Sequence, residues 1–503
     1  MYLLGIDVGT TGVKAVLIDT QGRVLASGTD TYPLHTPQPL WAEQHPHDWW
    51  RATCNAIQQV LRESGVAPSQ IRGVGLSGQM HGSVFLDEQN RVIRPALLWC
   101  DQRTADECAW ITERVGEDTV LQTTLNPVLT GFQAGKIIWL RRHEPDHYAR
   151  VRHVLLPKDY IRFMLTGEYA TEVSDASGTA LFDVPKRDWA YEMLDRLDLP
   201  RAWFPRVYES PEVTGRVSAS AASATGLAEG TPVVGGAGDQ AAGAVGTGIV
   251  QEGRVSISLG TSGVVFAHLD QPRVDPQYRT HTFCHAVPGS WHVMGVMLMA
   301  GGALRWYRDT FAQADLYAAH SAGEDPYDRL LREAEPIPPG AEGLLFLPYL
   351  SGERTPYPDP KARGAFVGAT LAHHRAHFTR AVLEGVAFGL RDSFEILQAM
   401  GLAVQQVRMT GGGARSPLWR QILADVLGTP LFTLRAEEGP AFGVALLAGV
   451  GTGIWQSVPE ACEATVRLAE RTVPNPRHQP LYERTYALYR QLYPALRSLF
   501  EQM

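Results

Sequence analysis

Leu3-Leu4-Gly5-Ile6-Asp7-Val8-Gly9-Thr10-Thr11-Gly12-Val13-Lys14-Ala15-Val16-Leu17-Ile18-Asp19 is the stretch from which the rest of the chain is read. Two apolar runs flank a Gly-Thr-Thr-Gly turn, and Asp19 and Gly22 close the second run, which is the pattern of a β-hairpin. Ordinary hairpin tips carry Asn-Gly or Asp-Gly. This tip has two glycines with two hydroxyl residues between them, so backbone N–H groups and small side-chain donors can close around an anion. Asp7 stands just before the turn, and a carboxylate beside phosphate is repulsive unless a divalent cation lies between them. The stretch reads as a Mg-phosphate hairpin, although a plain hairpin with an acidic corner has the same letters.

A second copy lies half a chain away. Ser256-Ile257-Ser258-Leu259-Gly260-Thr261-Ser262-Gly263-Val264-Val265-Phe266-Ala267 repeats the order of strand, Gly-Thr-Ser-Gly turn and strand. Internal repetition of this kind marks two related halves. Each half would bring one phosphate-type hairpin to a polyphosphate held between them.

The chain has 503 residues, 45% hydrophobic and 19% charged, enough for two cores. A net charge of −8 argues against nucleic acid as a partner and leaves no basic run for a membrane surface. Five scattered cysteines without CxxC spacing predict neither a disulfide framework nor a zinc site, and suit a reducing, cytoplasmic setting. No signal peptide is expected, because Asp7 interrupts the only apolar run near the start. The longest uncharged apolar stretch, about 293–304, is too short to span a bilayer.

Outward from the first hairpin, 23–32 predicts a strand, and Trp50, Cys54, Ile57, Val60 and Leu61 predict a helix face ending at Ser64-Gly65. A strand at 71–76 runs into Ser77-Gly78-Gln79-Met80-His81-Gly82, placing Met80 and His81 where strand-end loops of α/β sheets collect ligands. Asp101 is expected to cap a helix, with Arg103 a candidate substrate contact. Residues 209–230 read as a surface connection, and the boundary between halves falls near 250–254. In the second half, strand 406–409 leads into Gly411-Gly412-Gly413, where a flat ring or ribose could rest on bare backbone. Ser416 and Pro417 then form an N-cap and N1 pair.

Asp239 is the most pointed residue. It follows a strand ending in Gly235-Gly236-Ala237-Gly238 and begins a helix, so it either caps that helix or takes a proton from an attacking hydroxyl. The two hairpins favour the second role, the part played by a positioned Asp in phosphoryl transfer. Gly236-x-Gly238-x-x-Ala241 also fits a loose dinucleotide fingerprint, but the acid expected at the end of the next strand is replaced by Gly260.

Together, Gly5-Ile6-Asp7-x-Gly9-Thr10-Thr11, Gly236-x-Gly238-Asp239, Leu259-Gly260-Thr261-Ser262-Gly263 and Gly411-Gly412-Gly413 resemble the FGGY carbohydrate kinases of the actin/Hsp70/sugar-kinase superfamily, over essentially the whole chain. Residues 131–143, with Lys136 and Trp139, resemble the family's first signature, departing at Gln133; residues 364–385 resemble the second. The loops 77–82, 155–160 and 351–356 resemble those of members acting on D-xylulose rather than on glycerol.

The resemblance implies an α/β fold of two ribonuclease-H-like domains, residues 1–250 and 251–503, flanking a deep cleft. Sugar would bind mainly to the first and ATP mainly to the second. It implies ATP-dependent phosphorylation of D-xylulose to D-xylulose 5-phosphate, with Asp239 as general base and Asp7 organising Mg²⁺ through water. Gln79, Met80, His81 and Gln240 would line the sugar. Thr10, Thr11 and Lys14 would face the transferred phosphate, Gly260 and Thr261 would hold ATP phosphates, and Gly412, Gly413, Ser416 and Trp306 would lie near the adenosine. A homodimer is left open. Gln240 and Cys100 stand where relatives acting on D-xylulose commonly have Asn, which leaves room for another ketopentose or polyol such as ribulose, ribitol or glycerol. A non-catalytic nucleotide switch like Hsp70 or actin would share the hairpins but would not need Asp239 beside a sugar loop.

Overall fold

The computed structural model describes residues 1–435 and 439–503. The first hairpin forms as read: β1 (Tyr2–Val8) and β2 (Gly12–Asp19) pair antiparallel, with Asp7 directly opposite Lys14. β3 (Val24–Thr31) adds to the outer edge of β2, and β4 (Ile71–Gly78) lies parallel to β1 on its other side. The sheet is completed by β5 (Val213–Arg216), β6 (Pro232–Val234) and the two-residue β7 (Ala237–Gly238), in the order β5-β6-β4-β1-β2-β3 with β7 also against β4.

The second half repeats this plan. β8 (Arg254–Leu259) and β9 (Gly263–Leu269) form the second hairpin; β10 (His281–Cys284) and β11 (Trp291–Met297) extend it. β12 (Gln406–Thr410), β13 (Leu431–Leu434) and β14 (Leu468–Thr472) continue on the far side, giving β10-β11-β9-β8-β12-β13-β14. In both sheets three antiparallel strands are followed by two parallel ones, in the order third-second-first-fourth-fifth. Each half is a ribonuclease-H-like unit, and the deep cleft lies between them.

Helices cover both faces of the first sheet. α1 (Pro46–Ser64) lies on β2 and β3, begins with Pro at N1 and ends at Gly65. Its buried stripe is Trp49, Ala52, Ala56, Ile57 and Val60, one position round from the stripe the larger apolar residues suggest. The alanines let the helix come close, so that a methyl on Gly28 would stand 2.3 Å from the Ala56 carbonyl oxygen. α2 (Gln133–His143) and α3 (Pro157–Thr166) follow, and α4 (Asp239–Thr247) starts at the end of β7. The stretch 209–230 is no mere connection. Val213–Arg216 pairs with β6, and Ala219–Thr225 is a helix capped by Ser218, whose small residues gave no periodic signal.

In the second half, α5 (Gly301–Phe311), α6 (Arg375–Ala399), α7 (Pro417–Leu427) and α8 (Gly439–Gly451) are the elements the site uses. Although α8 comes late in the chain, it packs on β1, β4 and α4 of the first half. Bare backbone makes the approach: methyls on Gly5 and Gly75 would fall 1.8 Å and 1.9 Å from the carbonyl oxygens of Ala441 and Val444. Leu3, Val16, Ile18, Val234, Ala242 and Leu446 share one buried cluster across this contact.

Candidate active site

Register brings the expected residues together. Ser77 of β4 lies opposite Asp7 on one side and Ala237 on the other, so Asp7 and Asp239 flank the carboxyl end of β4. Burial of both carboxyls, and the charge of Asp7 on its neighbour, push Asp239 up to about 7 and outweigh its hydrogen bonds from Gln240. Burial likewise pushes Asp7 up to about 6, partly offset by Ser77 and Lys14, and its Oδ1 is buried without a hydrogen-bond partner. An unpartnered buried carboxylate oxygen fits a cation, and Mg²⁺ needs only one or two carboxylates beside water and phosphate. Among the described residues no group of three His, Cys, Asp or Glu side chains could hold a metal ion.

The turn at Gly9 to Thr11 is held from below. Tyr32 donates to the Gly9 carbonyl, Gln44 Nε2 donates to the Thr10 carbonyl at 2.7 Å, and Trp99 Nε1 donates to Thr10 Oγ1 at 2.9 Å. Thr11 is exposed at the tip.

Met80 and His81 follow Gln79 in the loop after β4. Space here depends on neighbouring glycines: a methyl on Gly238 would lie 2.9 Å from Met80 Cγ, and one on Gly178 would lie 2.6 Å from the His81 ring. His81 Nδ1 is 2.6 Å from the Gly178 carbonyl oxygen, and its ring stacks on Phe132 at 4.6 Å. Its backbone is left-handed, with φ of +68°, a conformation β-carbons disfavour. Lys136 of α2 stabilises it, donating to the His81 carbonyl at 2.7 Å and the Gly131 carbonyl at 2.5 Å from a fully buried position. Gln133, the signature departure, donates to the Gly82 carbonyl at 2.9 Å and so braces the same loop.

The Asp239 loop has its own support. Arg162 of α3 donates to the carbonyls of Val234, at 2.7 Å, and Gly235. Gly238 N donates to Ser174 Oγ at 3.1 Å, and Ser174 Oγ donates to Glu172 Oε1 at 3.0 Å. Lys158 Nζ lies 2.7 Å from Asp159, 3.2 Å from Asp175 and 3.4 Å from Glu172, all buried. At Gly236, φ is +70° and a methyl would stand 1.8 Å from the Leu76 carbonyl oxygen, so only glycine lets β7 reach β4.

Across the cleft the second hairpin opens a cavity of about 560 Å³, lined by Gly260, Thr261, Gly412, Gly413 and Ser416 together with Tyr327. Gly301 N donates to the Gly260 carbonyl at 2.8 Å and Gly302 N to the Thr261 carbonyl at 3.0 Å, which seats the start of α5 under the turn. Ser416 caps α7, accepting from Trp419 N at 3.1 Å. Gly412 has open space where a side chain would be, the bare surface a flat ring requires. Tyr327 and Asp325 were not anticipated; Asp325-Pro326 is a cap and N1 pair like Ser416-Pro417, and only that parallel marked them in the sequence.

Two domain models of the FGGY family of carbohydrate kinases match, the N-terminal over residues 2–246 and the C-terminal over 255–452. The chain belongs to the FGGY family of carbohydrate kinases. The kinase is 42% identical over 500 residues to the xylulose kinase of Escherichia coli, covering 99% of this chain and all of that one. It is 38% identical to the xylulose kinase of Bacillus subtilis, covering 99% and 98% of the two chains. The crystal structure of the xylulose kinase from Rhodospirillum rubrum superposes with a TM-score of 0.91 at 32% identity, covering both chains in full. The enzyme is an ATP-dependent sugar kinase. No described helix is long and apolar enough to cross a membrane.

Four expectations are corrected in this kinase. Arg103 does not face the substrate: it pairs with Asp101 at 2.6 Å and Glu43 at 2.8 Å, and lies 3.5 Å over the Trp41 ring. Asp101 caps no helix, because its Oδ2 accepts from Ala42 N at 2.7 Å. Trp306 lies off the cavity beside the second hairpin, against Phe311 and Phe346, while Leu304 and Arg305 on the same helix line it. Gln79 is 1% exposed, and its amide donates to Gln44 at 3.0 Å beneath the first hairpin, so it braces the turn.

Lys136→Met in this kinase is expected to raise the sugar KM by about tenfold, with the ATP KM within about twofold, because it releases the His81 backbone. Steady-state kinetics with each substrate varied checks this. If Asp239 serves as the base it must be ionised to act, so kcat/KM for sugar should fall about tenfold per pH unit below its pKa and level off above it. With that pKa at about 7 in the free protein, the loss lies on the acid side, and a pH-rate profile flat from about 5.5 to 8.5 contradicts it.

Proposed function

We propose that this kinase transfers the γ-phosphoryl group of ATP to the 5-hydroxyl of D-xylulose, giving D-xylulose 5-phosphate and ADP. The observation that carries the choice of sugar is the full-length 42% identity to a xylulose kinase. The geometry supports the chemistry. Asp239 accepts the hydroxyl proton, the freed oxygen attacks the γ-phosphorus, and the bond to the β-phosphate oxygen breaks as ADP leaves. Met80 and His81 orient the sugar, Thr10 and Thr11 face the transferred group, and Gly260 and Thr261 hold the remaining phosphates. Lys14, opposite Asp7 in the hairpin, adds positive charge on the same side. Asp7 is the residue that would hold Mg²⁺, through water, and the ion would neutralise charge on the β- and γ-phosphate oxygens.

The same reading assigns sugar to residues 1–250 and nucleotide mainly to 251–503. Five free cysteines support a reducing, cytoplasmic setting. The test is ADP release from Mg-ATP with D-xylulose, D-ribulose, L-ribulose, ribitol, glycerol and no sugar. Strong preference for D-xylulose is expected. Preference for another sugar moves the reading to Gln240 and Cys100, and equal release with all six conditions removes it.

A further inference from the structure

Both glycine-bounded turns have their carbonyl oxygens drawn inward, by different means. In the first, Tyr32 donates to the Gly9 carbonyl and Gln44 to that of Thr10. In the second the donors are backbone groups. Ala300 N and Gly302 N reach the Thr261 carbonyl at 2.8 Å and 3.0 Å, and Gly301 N reaches the Gly260 carbonyl at 2.8 Å. A carbonyl oxygen turned outward repels a phosphate, so these bonds decide whether the turn can receive one. The second turn therefore depends on where residues 300–302 sit.

α5 begins at Gly301 without a side-chain cap of its own, and residues 298–300 separate it from the end of β11. An anchor for this link comes from far along the chain. Glu353 Oε1 accepts from Leu298 N at 3.0 Å and from Arg354 N at 2.7 Å, tying the link to the loop 351–356. That loop is itself fixed to β11: Thr355 N donates to the Val296 carbonyl at 3.0 Å, and Thr355 Oγ1 accepts from Val296 N at 3.1 Å. Thr355 Oγ1 also donates to the Arg279 carbonyl at 2.7 Å, and Glu353 and Asp359 exchange two backbone bonds at 3.0 Å.

Glu353 is an expensive residue to bury for two hydrogen bonds. It is 4% exposed, and its Oε2 is buried without a partner. Burial pushes its carboxyl up to about 8 despite the two backbone N–H groups at Oε1, so at neutral pH the side chain is mainly the uncharged acid. It works through one acceptor oxygen and not through charge.

We propose that Glu353 is a positioning residue for the phosphoryl donor: by holding Leu298 it sets the start of α5, which keeps the Gly260 and Thr261 carbonyls turned away from the phosphates of ATP. This rests on the reading of the second turn as the holder of those phosphates. Glu353 acts through the backbone of residues 298–302 and of the turn. Its loss falls on the nucleotide and spares the sugar, which the first half binds.

The test is steady-state kinetics of the full chain with Mg-ATP and D-xylulose each varied, for wild type, Glu353→Ala, Glu353→Gln, Thr355→Val and Thr261→Glu. Glu353→Ala is expected to raise the ATP KM at least about fivefold and leave the D-xylulose KM within about twofold. Glu353→Gln has the shape and charge of the neutral acid and keeps the acceptor, so both KM values stay within about twofold of wild type. Thr355→Val keeps the volume but unpins the loop, and raises the ATP KM about threefold with the sugar KM unchanged. The proposal is overturned if Glu353→Ala leaves the ATP KM unchanged or raises both KM values equally, or if Glu353→Gln is as impaired as Glu353→Ala. Should Glu353→Ala fail to fold, Thr355→Val and Glu353→Gln decide by the same split between the two KM values. Thr261→Glu sets a carboxylate on the exposed tip of the turn, where it repels phosphate and raises the ATP KM at least about tenfold. An unchanged ATP KM in Thr261→Glu removes the reading of the turn itself, whereas a large rise there beside an unaffected Glu353→Ala removes only the role of Glu353.

Discussion

Asp239→Asn is expected to lower kcat by roughly 10³-fold, while Mg-ATP still binds and the protein unfolds at an unchanged temperature. The amide has the size of the carboxylate and retains an acceptor for Gln240, which bonds Asp239 in the native protein. It cannot take a proton from the attacking hydroxyl. The site's donors and phosphate hairpins are untouched, so the nucleotide should be held as before. Asp239 begins α4, and a residue that served only to begin a helix would change stability and spare turnover. Single-turnover rates, ATP titration and thermal denaturation on one preparation separate these outcomes. Turnover within about tenfold of wild type would mean that another group takes the proton.

Gly443→Ala is the second large effect, and it concerns packing. A methyl there would stand 1.9 Å from the Ala242 carbonyl oxygen and 2.9 Å from Gly246 N, where α8 crosses α4. Neither neighbour is a side chain that can turn aside. The helices must separate, and overpacking of this kind costs about 3 kcal/mol. α4 carries Asp239 at its first position, so activity should fall along with stability. Chemical denaturation should show an earlier midpoint, and kcat at a temperature where the variant remains folded should be reduced. An unchanged midpoint would mean that the two helices can part freely.

Much of this was legible in the sequence because the informative residues are local. Two glycine-bounded turns, a glycine-rich strand end before Asp239 and a Ser-Pro cap each specify their own conformation, and the hairpins repeat. What could not be read depends on contacts distant in sequence. Arg103 and Asp101 sit two residues apart near a strand-end loop, yet Glu43 and Trp41, some sixty positions away, claim the guanidinium. Trp306 is one residue from Arg305 on the same helix, and only the placement of Phe346 decides which faces the cavity. Lys136 was visible as part of a signature, but its bond to the backbone of His81 spans fifty-five residues and has no local trace.

The seating of α8 bears on how the chain can be divided. A cut near residue 250 follows the repeat, but it strips from the first sheet the helix that covers Leu3, Val16, Ile18 and Val234. The 1–250 piece would then present an apolar face to water and self-associate, whereas the two pieces produced together could reassemble through that same face. The repeat is a unit of topology. By this packing it is not a unit of autonomous folding, and any chimera that swaps first halves between relatives must carry residues 439–451 with them.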